Sequence, residues 1–112
     1  VPYGTEALLL LRLEKGFLHV GLDTDGTTSP ADVGWGEVAL KKGADFIGKR
    51  SLLRPENRRP DRLQLVGLTG DDDLLIPGAH LRLDGTAEGS DGWVTSAAFS
   101  PTLGRRIGLA LL

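Results

Sequence analysis

Apolar positions change their spacing along this chain, and the changes divide it. Leucines fill positions 8–11 and 13 of TEALLLLRLEKG, and at about 100° per residue they point almost all the way round a helix. Thr5 is placed to cap that helix, Glu6 and Lys15 suit its first and last turns, and Gly16 suits its end. The spacing predicts a helix over 5–15, buried on most sides. Phe17–Leu22 is apolar at alternate positions and predicts a short extended stretch. DTDGTTSP at 23–30 is turn chemistry throughout. Trp35–Leu40 predicts a strand, and 45–53 a short helix with Phe46, Ile47, Leu52 and Leu53 as its apolar contacts.

RPENRRPDR at 54–62 holds two prolines and six charges, and reads as an exposed connection. Beyond it the period becomes two. Leu63, Leu65 and Gly67 alternate with Gln64, Val66 and Leu68, and Leu81 and Leu83 with His80, Arg82 and Asp84. Asp84–Gly85 is a hairpin-turn signal. GWVTSAAF and RRIGLALL supply two further strands, separated by a turn at Pro101–Gly104. The pattern therefore predicts an α+β chain whose second half is built of short antiparallel strands.

Two charges interrupt the leucine helix. Arg12 falls about 40° from Leu8, between leucines. Its neighbours at three and four residues are Leu8, Leu9, Lys15 and Gly16, none of them acidic, so the helix offers it no ion pair. Either Arg12 reaches solvent on its aliphatic stem, or its partner comes from elsewhere in the fold or from a ligand. Glu14, near Ala7 and Leu10, poses a similar question, with solvent near the helix end as the plain answer.

Composition narrows the chemistry. A chain of 112 residues with 40% apolar and 25% charged content is one soluble domain in size. A formal charge of −2 and a pI near 5.6 give no overall attraction to nucleic acid or anionic membrane. The absence of cysteine excludes disulfides, thiolate metal sites and cysteine nucleophiles. No run approaches the ~20 apolar residues that span a bilayer, and no signal peptide is recognisable; a cytoplasmic setting is expected. The chain opens at Val1 and holds no methionine, which predicts a piece of a longer protein.

DTDGTT lacks the glycine and glutamate positions of a calcium loop. GKRS at 48–51 has arginine where a phosphate loop needs Ser or Thr. His19 and His80 are too scattered for a catalytic triad: His19 reads as structural, and His80 as facing solvent from a strand. Trp35 and Trp93 read as core or interface residues.

Five segments in one order carry a resemblance: LRLEKG at 11–16, GLDTDGTTSPADVGWG at 21–36, KKGADFIGKRSL at 41–52, DRLQLVGL at 61–68 and GWVTSAAFSPTLGRRIGLALL at 92–112. Together they resemble the folate-dependent aminomethyltransferase family, the T-protein of glycine cleavage and its relatives, and within it most closely the branch formed by sarcosine oxidase alpha subunits.

The resemblance implies that residues 1–54 end a folate-binding region, 55–60 link, and 61–112 form an incomplete C-terminal β-barrel. It implies tetrahydrofolate as the parent's cofactor, with flavin and NAD in other regions or subunits, and other sarcosine oxidase subunits as partners. The parent would demethylate sarcosine oxidatively and pass the one-carbon unit to tetrahydrofolate. Arg12 maps onto the family's folate- or substrate-binding arginine, which implies bidentate pairing with a ligand acid group or a nearby carboxylate. Glu14, the next charged residue of that motif, would help bind by orienting a loop or Arg12. The family's catalytic aspartate has no counterpart in these residues, so the segment alone is expected to be inactive. A glycine-cleavage T-protein, or a non-catalytic folate-binding accessory protein of the same fold, are the alternatives.

Overall fold

A computed structural model of the chain describes residues 1–70, 74–85 and 88–112. Helix α1 runs Thr5–Glu14. Gly4, with extended backbone, precedes its first turn, and no side chain caps it; Thr5 is already inside the helix. Gly16, at φ 71°, ends the helix. The Phe17 amide donates to the Arg12 carbonyl at 2.8 Å and the Gly16 amide to the Leu13 carbonyl at 3.0 Å, the paired bonds of a Schellman stop, which need a left-handed residue there. The chain then doubles back: the amides of Leu22 and Asp23 both donate to the His19 carbonyl, at 3.0 and 2.9 Å. The stretch expected to be extended over 17–22 forms no strand: it makes one bridge, between Val20 and Thr24, and turns at 21–23.

Trp35–Leu40, expected as a strand, holds helix α2 at Gly36–Leu40. The Ala39 amide donates to the Trp35 carbonyl at 3.0 Å, and a run this short has too few residues for its period to separate helix from strand. Helix α3 spans Lys49–Leu52, a shorter element than the expected 45–53. Pro55–Arg58 forms one exposed 3-10 turn within the charged connection.

The second half is a four-stranded antiparallel sheet, a half-barrel. Strands β1 (Leu65–Gly70), β2 (His80–Leu81), β3 (Gly92–Ser100) and β4 (Arg105–Leu111) are ordered β1-β4-β3-β2. Strand β2 is shorter than its alternation suggested, and Leu83 lies beyond it, exposed. Asp84–Gly85 falls in the connection to β3, with Gly85 at φ 70°; residues 86–87 of that connection lie outside the described residues.

Central β4 is buried continuously from Ile107 to Leu111, as expected of the uninterrupted IGLAL run with cover on both faces. Leu13 of α1 packs on Ile107 and Leu109, with Leu65 and Ala98 beside them. The sheet reaches only this side of the helix. Leu8 and Leu11 remain 50% and 54% exposed, so the leucine helix is buried on one face and not all round. Trp35 and Trp93, expected in a core or interface, are also exposed, at 62% and 37%. Among the described residues no helix is long and apolar enough to cross a membrane.

Candidate functional site

Arg12 finds its partner eleven residues on. Its Nη1 pairs with Asp23 Oδ2, and its Nη2 donates to Ser96 Oγ at 2.6 Å; the Phe17 carbonyl lies 3.4 Å from Nη1. The Arg12 side chain is 12% exposed and that of Asp23 not at all. The solvent-reaching alternative for Arg12 is therefore replaced by a tertiary pair. The helical stop at Gly16 and the turn at His19 make it possible, since they return the chain beneath the helix it has just left.

Asp23 spends both its oxygens. Oδ1 accepts from the hydroxyls of Thr95 and Ser96 at 2.5 and 2.6 Å, and Oδ2 from the His19 amide at 2.7 Å as well as from Arg12. Burial opposes ionisation of Asp23, but the Ser96 and Thr95 hydroxyls, the His19 amide and the Arg12 charge outweigh it and hold the carboxyl below its ordinary range. The His19 side chain itself is exposed; its backbone does the work. Arg12 retains one buried donor, Nε, with no hydrogen-bond partner among the described residues. Arg12, Thr95 and Ser96 help line a groove of about 300 Å³ between α1 and β3, with otherwise largely apolar walls and Glu6 among its residues.

Glu14 serves a different contact. It accepts from the Ser100 hydroxyl at 2.5 Å, and Ser100 Oγ in turn accepts from the Leu103 amide at 3.1 Å. The Ser100 bond and a further one from Thr102 hold its carboxyl below the usual range. Glu14 thus ties the C-terminal end of α1 to the β3–β4 hairpin, away from Arg12.

A second joint was not visible in the sequence. Arg62 grips Asp32 with two bonds, Nε to Oδ1 at 2.7 Å and Nη2 to Oδ2 at 2.5 Å, and Nη2 also donates to the Thr27 carbonyl at 2.9 Å. Asp32 is 3% exposed, accepts from the Ser29 amide at 2.7 Å, and receives the Leu65 amide on its carbonyl at 2.7 Å. The Arg62 bonds lower the Asp32 pKa. Sequence reasoning took Asp23 for a turn residue and gave Asp32 no role. A further signal for the first joint was the polar pair Thr95-Ser96 inside an apolar strand, which breaks the period of two.

The sequence is similar to those of known proteins over the whole of this region. Residues 64–112 match the glycine cleavage T-protein C-terminal barrel domain. Over 99% of its length the chain is 49% identical to the sarcosine oxidase alpha subunit of Corynebacterium sp. strain P-1, and over its whole length 41% identical to that of Rhizobium meliloti. It is 41% identical over 97% of its length to the aminomethyltransferase of Nitrosomonas eutropha. The chain spans 12% of each of these sarcosine oxidase subunits and 30% of the aminomethyltransferase. Homology thus covers α1 and both joints as well as the barrel.

Proposed function

We propose that this chain is a segment of a sarcosine oxidase-like alpha subunit, forming part of the scaffold around a tetrahydrofolate site. Residues 1–54 would end the folate-binding region, 55–60 link, and 61–112 form the barrel. The parent would demethylate sarcosine oxidatively and deliver the one-carbon unit to tetrahydrofolate, with flavin and nicotinamide held in other regions or subunits. The observation that carries this reading is an overall identity of 49% in a match that spans 99% of the chain.

The residues present fit a folate contact at one atom. Arg12 Nε is a buried donor without a partner among the described residues, and an orphaned donor of that kind costs about 1–3 kcal/mol until an acceptor arrives. Asp23 already neutralises the guanidinium. A second full negative charge would gain little there, so of the two partners the resemblance implied, a ligand acid group or a nearby carboxylate, Asp23 takes the second role, and the ligand contact expected is a neutral acceptor, a carbonyl oxygen or ring nitrogen. When bound, tetrahydrofolate supplies the amines that accept the one-carbon unit; the role of Arg12 is to hold it in place. Glu14 would act indirectly, by fixing the hairpin against α1.

An aminomethyltransferase parent is the second reading, since the Nitrosomonas relative equals the Rhizobium one at 41% identity. In the full-length chain, Arg12→Ala is expected to weaken tetrahydrofolate binding by about tenfold or more. Unchanged affinity with a lowered melting temperature would show Arg12 to be purely structural. Sarcosine-dependent peroxide formation separates the oxidase parent from the transferase.

A further inference from the structure

We infer that Thr95 and Ser96 are positioning residues for Arg12, and that the β-bulge between Val94 and Ser96 makes them so; the inference rests on the reading of Arg12 as a ligand contact. In a regular strand, neighbouring side chains point to opposite faces, and two in succession cannot serve one acceptor. The register of β3 against β4 slips between Val94 and Ser96, where Val94 faces Ala110 and Ser96 faces Leu109. The slip breaks the alternation. Both hydroxyls then reach a single atom, Asp23 Oδ1.

Proton counting fixes the roles. Each hydroxyl has one proton to give. With the Ser96 proton on Asp23 Oδ1, its lone pairs are left as the acceptor for Arg12 Nη2 at 2.6 Å. Asp23 Oδ2 takes Arg12 Nη1, beside the His19 amide. Two acceptors therefore hold the two terminal nitrogens of one planar, rigid group. The direction of the remaining donor, Nε, follows from where those acceptors stand. Arg12 sits on α1, but its guanidinium plane is set by β3 and by the turn that carries Asp23. A lysine could not be held this way, having one nitrogen to offer in place of a planar fork.

The test is tetrahydrofolate affinity in the full-length chain. Ser96→Ala is expected to weaken binding about tenfold, and Ser96→Thr, which keeps the hydroxyl, to recover most of it. The double variant R12A/S96A is expected to bind no worse than R12A, the non-additivity of groups that act through one another; additive losses would overturn the inference. Wild-type affinity in S96A beside a weakened R12A overturns the positioning role and leaves Arg12 as a ligand contact. Wild-type affinity in R12A overturns both. Should S96A not fold, Thr95→Val removes one donor to Asp23 while keeping the side-chain shape. It is expected to weaken binding severalfold, and unchanged affinity there overturns the inference.

Discussion

Removing the Asp23 carboxylate should open the contact between α1 and the sheet. In Asp23→Ala, the Arg12 guanidinium stays in place, its side chain 12% exposed, without its counter-charge. The hydroxyls of Thr95 and Ser96 and the His19 amide lose their acceptor together. Deleting one member of a buried ion pair costs about 3–5 kcal/mol. The residual exposure of Arg12 puts the expectation at the lower end, about 3 kcal/mol, or about 150-fold in an opening equilibrium.

Asp23→Asn is the informative companion. Its amide oxygen can occupy the Oδ2 position, where the donors are a fixed backbone N–H and the guanidinium. Its NH2 then faces two hydroxyls that can rotate to accept. Shape and hydrogen bonds survive while the charge does not, so the loss should shrink to about 1–2 kcal/mol. Hydrogen exchange of peptides covering β3 and β4, measured in the full-length chain, reads this opening directly. Less than about threefold acceleration in Asp23→Ala, roughly 0.6 kcal/mol, would refute the claim that the pair is closed to water.

Acid should loosen both joints. Asp23 and Asp32 are held below their ordinary pKa in the fold, so their contribution is full above the unfolded value, near 3.9, and is lost as pH falls through the lower folded values. Melting temperature followed from pH 6 downwards should show the fall, and Asp23→Asn should remove its share of the slope. Gly108→Ala should destabilise the sheet by about 1–3 kcal/mol, because its Cβ would meet the Ser96 carbonyl oxygen at 2.7 Å; denaturation midpoints check it, and a neutral result would mean that the β3–β4 spacing yields easily.

The elements that were legible announced themselves through repetition or punctuation. The leucine helix has both a dense apolar run and a glycine stop, and β3 and β4 carry β-prone residues on either side of a Pro-Thr-Leu-Gly turn. GEVAL at 36–40 had neither, and its type was set by a single turn of hydrogen bonds following Trp35. The leucine pattern gave the helix but not its cover, since how much of a helix is buried depends on what packs against it.

For the site, absence was informative: the lack of any acid within a helical turn of Arg12 left solvent or a distant partner as the choices. Which partner was not readable. Asp23 stands in a stretch where every residue suits a turn, and the polarity that would have singled it out is shared by its neighbours. The bulge at Thr95 was hidden for another reason. It is a property of pairing between two strands, and a single strand's pattern carries only a trace of it.

The span of the Arg12–Ser96 bond has a consequence for how the chain is made. Arg12 leaves the ribosome 84 residues before Ser96, which at 5–20 residues per second is a delay of about 4–17 s. During that interval the leucine helix has no sheet to lie on and its arginine no seat, although Asp23 follows within a second or two at about the same rates. Early pairing of Arg12 with Asp23 would keep the nascent hairpin-like turn closed around its charges until β3 arrives to complete it.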